Sequence, residues 1–384
     1  TANPARYSKQ RTMDMRIAQI EVRCCRHKAV QLAAESLRES AEQTGLEFLV
    51  VTLTTRDGTR ASSFGFAGRS ARGSGELAAA AMRPFLTGRD YRDREGIWQA
   101  FRTEDRWWNL LPIYSYGPFD IALWLLAAQA ADQPLYKFIG ACRDTVPTYC
   151  SSLVLPTPQA YAAEAVAVKG EGYKAYKVHP RGQDFGEDLA IHRSVRDAVG
   201  PDFTLMSDPV GCFNLEDAIR FGRELEHMNY LWLEEPLFDE NIHSLRELSR
   251  VLDIPIVGTE VIAKHPYSVA ECISTRVVDR VRADVSWTGG VTGVLKTATL
   301  AEAFGVNCEI HTSILHPLEL VNLHCAAAVS NCSYFELLTP VQTFAFGLVE
   351  PLPVADGIAT LPNGPGLGID LDWDLIDDCT FKIL

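Results

Sequence analysis

The sequence predicts an α/β chain: a (β/α)8 barrel of the TIM type with an N-terminal α+β capping domain completed by the C-terminal segment. Three observations predict it. Lys177/His179, Asp208, Glu234, Glu260, Asp284, His311 and Glu336 recur at steps of 24–29 residues, and a step in that range marks one repeated supersecondary unit. Each of these residues ends a short apolar run: AYKVH, FTLMSD, YLWLEE, IPIVGTE, RVRADV, VNCEIH and CSYFE. Polar groups at successive strand ends meet in space only if the strands are parallel and close into a barrel. Finally, the residues ahead of the repeat follow another plan, with strands first and helices after.

In chain order, residues 15–26 and 47–55 alternate or run apolar and read as strands. Arg56-Asp57-Gly58 is a hairpin turn, and a third strand follows at 59–66. The stretch AGRSARGSG at 67–75 reads as a mobile loop. Helices are expected near 75–87, 92–104 and 117–131. Asp144-Thr145-Val146-Pro147 marks the crossing into the barrel, giving units at 1–143, 144–345 and 346–384. The strand TYCSS then precedes a helix at 157–171, and AYKVH precedes one near 185–199. The same alternation continues to CSYFE, the eighth and last strand, which is the number expected for closure. The tail from 346 is rich in Pro, Gly and Asp and is expected to run back onto the N-terminal domain.

Composition narrows the function. The chain has 384 residues, enough for about two domains, and a formal charge of −13. That balance argues against a nucleic-acid partner, which needs a basic face. It leaves room for an anionic substrate, because a metal and a few cations invert the local field. The ten cysteines contain no CxxC and mostly lie in apolar segments, so they read as reduced thiols of a cytoplasmic protein. The N-terminus lacks the apolar core of a signal peptide. The apolar run IALWLLAAQAA at 121–131 is too short to span a bilayer, so no membrane partner is expected.

The strand ends carry the chemistry. Asp208, Glu234 and Glu260 end three neighbouring strands, and three close carboxylates repel unless a cation sits between them. With hard oxygen donors and no Cys or His at those ends, the expected cofactor is one Mg²⁺ ion, which leaves positions for water and substrate. Lys177 and His179 are two apart on one strand and so share the inward face. Asp284 and His311 end adjacent strands, and an Asp beside a His fixes its tautomer and raises its basicity. The metal site thus lies between two proton-transfer groups, which suits removal of the proton next to a metal-bound carboxylate. Glu336 is placed to donate a hydrogen bond to the same oxygens once its pKa is raised.

The motifs SDP (207–209), LEEP (233–236), GTE (258–260), RADVSWTGGVTG (282–293) and EIHTS (309–313) resemble the enolase superfamily, mandelate racemase subgroup. The segment at 115–140 is similar to the last helix of that family's capping domain, so the resemblance covers nearly the whole chain. It implies Asp208, Glu234 and Glu260 as metal ligands, Asp284 and His311 as the His–Asp dyad, and Glu336 as the strand-eight electrophile. Glu235 matches a non-ligand position. It also implies a homo-oligomer, since the family is often multimeric, with specificity set by capping-domain loops near 23–30 and 62–75.

One departure stands out. The family pattern Lys-x-Lys on strand two is here Lys177-Val178-His179. A His there suits protonation of a departing β-hydroxyl. The expected reaction is therefore dehydration of a sugar acid, an aldonate or aldarate, to a 2-keto-3-deoxy acid. The alternatives are a racemase, epimerase or lactone cycloisomerase of the same superfamily. His311 as base with His179 as acid is one assignment, and the reverse remains open. Arg69 and Arg72 read either as solvated loop charges or as substrate contacts on loop closure. His316 and His324 read as structural, and Gly289-Gly290 as a turn and helix start, because no GK[ST] follows.

Overall fold

Strands β1 (Ile17–His27), β2 (Leu46–Thr55) and β3 (Arg60–Phe66) form an antiparallel meander. The computed structural model describes residues 14–28, 45–68, 70–109, 111–261 and 265–384. Arg69 and residues 29–30 of the expected specificity loop lie outside them.

The loop expected at 67–75 is shorter than its Gly and Ser content suggested. Ser70 Oγ accepts from Gly73 N at 3.1 Å and caps a helix that already begins at Ala71 and runs to Leu86. The Ala-rich run behind it favours helix, and the cap satisfies a free N–H of the first turn. Arg72 sits on this helix and pairs with Glu76 at 3.2 Å on an exposed face.

The helix Ile113–Ala130 is buried over most of its length and docks the capping domain on the barrel. Its Asp120 accepts from Thr292 N at 2.8 Å and Thr292 Oγ1 at 2.7 Å, at the start of the helix Gly290–Ala303. Gly290 permits this approach: a Cβ there would lie 2.5 Å from Asp120 Oδ2.

The barrel strands are β4 (Thr145–Ser151), β5 (Ala175–Val178), β6 (Thr204–Ser207), β7 (Leu233–Glu234), β8 (Ile256–Gly258), β9 (Arg280–Ala283), β10 (Asn307–Ile310) and β11 (Phe335–Leu338). Parallel ladders run from β4 through to β10, and β11 pairs back onto β4. Side chains join β10 to β11. Asn307 Nδ2 donates to Ser333 Oγ at 2.9 Å, Ser333 N to Glu309 Oε2 at 2.9 Å, and Thr312 N to Glu336 Oε2 at 3.2 Å.

Period-two alternation stacks the barrel interior. Tyr149, Ala175, Met206, Trp232 and Val257 form a separate buried apolar cluster. Ala175, Met206 and Trp232 each sit two residues before Lys177, Asp208 and Glu234, so the apolar layer lies beneath the charged one.

The tail contacts both parts of the molecule. Strands β12 (Val354–Ala355) and β13 (Ile358–Thr360) form a hairpin whose second strand pairs antiparallel with β4. β14 (Thr380–Ile383) then adds antiparallel to β1, giving the sheet order β14-β1-β2-β3. Among the described residues no helix is long and apolar enough to cross a membrane.

Candidate active site

The mouth of the barrel rests on a fully buried layer of charge. Lys177, on β5, is fully buried and reaches Glu234 Oε1 at 2.9 Å, Glu336 Oε1 at 2.9 Å and Asp208 Oδ2 at 3.2 Å. Arg282, on β9, lies opposite. Its Nη2 is 2.7 Å from Glu234 Oε1 and 2.9 Å from Glu336 Oε2, and it also donates to the Tyr149 hydroxyl at 3.2 Å. Trp232 Nε1 takes the remaining Glu234 oxygen at 3.0 Å. Burial alone would discharge such groups. Here mutual pairing outweighs it: Glu234 and Glu336 hold the Lys177 ammonium well above its usual range against the pull of burial.

That layer sets the surroundings of Glu336 and Lys177. Burial pushes the Glu336 carboxyl up, but Lys177 and Arg282 outweigh it and hold the group well below the usual carboxylate range. In this arrangement both Glu336 oxygens face cations, Oε1 toward Lys177 and Oε2 toward Arg282, where the sequence suggested a proton-bearing donor. Lys177, bound to three carboxylates, is a charge-balancing ammonium with no lone pair to offer as a base.

Above this layer stand the two histidines. His179 Nδ1 faces the Ser152 carbonyl at 2.7 Å, and its Nε2 faces Asp208 Oδ2 at 3.0 Å. A ring with oxygen acceptors at both nitrogens is satisfied when both carry a proton. Burial raises the Asp208 carboxyl, yet Lys177 and His179 overcome it and hold Asp208 strongly depressed.

His311 follows β10, and its Nδ1 bonds Asp284 Oδ2 at 2.9 Å. Asp284 is fixed in turn: its Oδ1 accepts from Ser286 N at 2.6 Å, Trp287 N at 2.7 Å and Ser313 Oγ at 3.2 Å. The other ring nitrogen, Nε2, lies 3.3 Å from Glu260 Oε1. Burial would lower the imidazole, but Glu260, Asp284 and Glu336 raise it to about 10.

Glu260 enters the site through an unusual backbone. Strand alternation would send Thr259, not Glu260, inward after Val257. Thr259 has φ 79° and turns the chain, while Glu260 N donates to Glu235 Oε1 at 2.8 Å. A β-branched residue at positive φ is strained, and strain of this kind gathers at functional sites. Burial, followed by the charges of Asp208 and Glu234, pushes Glu260 up to about 7 against the pull of His311. Glu235 is raised further, by burial and then by Glu260 and Asp208.

Asp208, Glu234 and Glu260 thus come to one mouth from consecutive strands. Among the described residues no three acid, His or Cys side chains already form a metal cage. Asp208 and Glu234 lean on Lys177, and Glu260 leans on His311. By donor chemistry the three fit a hard divalent cation: all are carboxylates, and burial, followed by the charges of Asp208 and Glu234, has lifted the pKa of Glu260.

Sequence reading missed Arg282, Ser152, Thr312 and Asn322. Arg282 had a signal, lying two residues before Asp284 and so on the same inward face. Asn322 is wholly buried on the helix His316–Ala328 and carried none. His324 is structural: its Nδ1 accepts from Tyr136 N at 3.1 Å and its Nε2 meets the Leu367 carbonyl at 3.1 Å. His316 is the first residue of its helix, buried, and lowered to about 4 by that burial.

A parallel barrel with its charged residues at the C-terminal mouth, joined to an α+β cap, defines an enolase-type protein. Residues 160–375 match the family described as Enolase C-terminal domain-like, and the chain belongs to that family within the enolase superfamily. It is 30% identical over 340 residues to the L-talarate/galactarate dehydratase of Salmonella typhimurium, covering 85% of this chain and 81% of that protein. It is 28% identical over 353 residues to the 3,6-anhydro-alpha-L-galactonate cycloisomerase of Streptomyces coelicolor, covering 88% of this chain and 93% of that protein. The magnesium-complexed D-glucarate dehydratase from Agrobacterium tumefaciens superposes with a TM-score of 0.84 at 32% identity, covering 96% of this chain and 100% of that one.

Proposed function

We propose that the chain is a Mg²⁺-dependent sugar-acid dehydratase that converts an aldonate or aldarate to a 2-keto-3-deoxy acid. The observation that carries this reading is the placement of the histidines at the two ends of the acid row, His179 against Asp208 and His311 against Glu260. Asp208, Glu234 and Glu260 are the residues proposed to hold the ion. Once bound, the ion would supply the positive charge that draws Glu260 off His311 and offsets charge developing on the substrate carboxylate.

His311, oriented by Asp284, then takes the proton from the carbon next to the carboxylate. His179, donating from Nε2, gives a proton to the β-hydroxyl as the C–O bond breaks, so water leaves. The resulting enol becomes the keto acid by tautomerisation. Lys177 and Arg282 pair with Glu234 and Glu336 beneath the site, and hold the Glu336 carboxyl well below its usual range. The buried free thiols, such as Cys308 and Cys325, support a cytoplasmic setting for this step of sugar-acid breakdown.

A second reading, an epimerase or cycloisomerase, is favoured by the cycloisomerase relative and by the same two-sided arrangement. The test is a screen of aldonic and aldaric acids for keto-acid formation, with α-proton exchange followed in D₂O. His311→Asn should lose both activities. His179→Asn should lose keto acid and retain exchange. Native keto-acid rates in both variants would place the proton chemistry elsewhere, and exchange or inversion with no loss of water would favour the isomerase.

A further inference from the structure

We infer that Asn322 is a positioning residue that holds His311 and Asp284 in register, an inference that rests on the role proposed above for that pair. Among the described residues, the backbones of β9 and β10 are joined only as far as His311 N, which donates to the Ala283 carbonyl at 2.9 Å. Beyond that point each chain leaves the sheet as a loop, and the two loops carry the two members of the dyad. The Asn322 amide bridges them. Its Oδ1 accepts from Val285 N at 3.0 Å, the peptide directly after Asp284. Its Nδ2 donates to the His311 carbonyl at 3.0 Å and to Ser313 Oγ at 3.0 Å. Ser313 Oγ donates onward to Asp284 Oδ1 at 3.2 Å.

The chemistry admits one orientation. Val285 N can only donate and the His311 carbonyl can only accept, so the site requires an oxygen on one side and an N–H on the other. A primary amide supplies both. A carboxylate would place a second acceptor against the His311 carbonyl, and an aliphatic side chain would leave buried backbone groups unpaired. The helix bearing Asn322 is packed in the barrel wall, so the bridge refers both loops to a rigid element. Asn322 touches none of Asp208, Glu234 and Glu260; beyond the two loops its Nδ2 reaches Glu319 Oε2 at 3.4 Å, so the His311 Nδ1–H signal is the readout specific to the dyad.

The test uses the full-length protein with Mg²⁺ and reads α-proton exchange. Asn322→Ala removes the bridge, Asn322→Asp keeps only the bond to Val285, and Ser313→Ala removes only the branch to Asp284. Displacing a base by an ångström costs about 10²-fold, so kcat for exchange should fall by about that factor in Asn322→Ala. KM should stay within about threefold, because ground-state binding is untouched. Ser313→Ala should lose less than about tenfold, with Asn322→Asp in between. Folded Asn322→Ala and Asn322→Asp with kcat within about twofold of native would overturn the inference. If Asn322→Ala does not fold, native kcat in both other variants overturns it equally. If the native protein exchanges no α-proton with any sugar acid, the dehydratase reading fails instead. The His311 Nδ1–H correlation in an imidazole ¹⁵N spectrum then decides alone: its loss in Asn322→Asp supports the bridge, and an unchanged signal overturns it.

Discussion

Replacing Arg282 with Met tests whether the buried layer is held by balanced charge. Lys177 and Arg282 face Glu234 and Glu336, and all four side chains are fully buried. Removing one cation leaves a net negative charge in a fully buried layer, and unpairing a buried charge costs about 3–5 kcal/mol. The folded protein can reduce that cost by protonating one glutamate. Holding a glutamic acid neutral against an unfolded pKa of about 4.3 costs about 3.7 kcal/mol at pH 7 and about 1 kcal/mol at pH 5. The two routes agree in size, and the second sets the sign. In the variant the folded pKa of that acid is raised, so stability is full below about pH 4.3 and is lost as pH rises. In the native protein the Glu336 pKa is depressed, so above about pH 4.3 the group is ionised in both states and adds no slope. The orphaned Tyr149 hydroxyl adds about 1 kcal/mol at either pH. Urea unfolding of both proteins with chelator present should therefore give a penalty of about 4–5 kcal/mol at pH 7 and about 2 kcal/mol at pH 5. A penalty equal at both pH values, or below about 1 kcal/mol at pH 7, refutes the charge-balance argument.

Two further outcomes are expected. Glu234→Gln removes one charge from the acid row and should abolish turnover while the fold survives, as should chelation of the native protein; full turnover in either case overturns the metal reading. Gly293→Ala would place a Cβ 1.8 Å from the Thr288 carbonyl oxygen, and Thr288 Oγ1 accepts from Asp284 N at 3.1 Å. The loop must move, so calorimetry should show a loss of about 1–3 kcal/mol, together with reduced α-proton exchange; native behaviour in both would sink the argument.

The barrel was legible because its signal repeats. A polar residue ending an apolar run announces one strand weakly, but the same event at near-constant spacing announces closure. The His311–Asp284 pair was legible for the same reason, since adjacent strand ends must be neighbours. The charge state of Glu336 was not. It depends on Arg282, whose spacing from Asp284 places it inward but does not say which carboxylates it meets. Likewise Ser70 looked like part of a Gly- and Ser-rich loop, because a cap and a loop use the same residues and only the helix behind distinguishes them.

The geometry of Glu235 and Glu260 shows where alternation stops being a guide. A strict two-residue period puts Glu234 inside and Glu235 outside, and Thr259 inside with Glu260 outside. Both strands end where that period would fail the site. Glu235 at φ 37° and Thr259 at φ 79° turn the chain, and Glu235 Oε1 receives the Glu260 amide at 2.8 Å. The two turns are thus coupled by one hydrogen bond. Glu235 accepts it while facing Glu260 and Asp208, whose charges, after burial, raise its pKa well above the ordinary value. In either charge state the carboxyl oxygen that receives the Glu260 amide fixes where that backbone turns into the site. The second acid of the LEEP motif therefore braces the backbone that delivers Glu260, a role that residue type and spacing alone do not reveal.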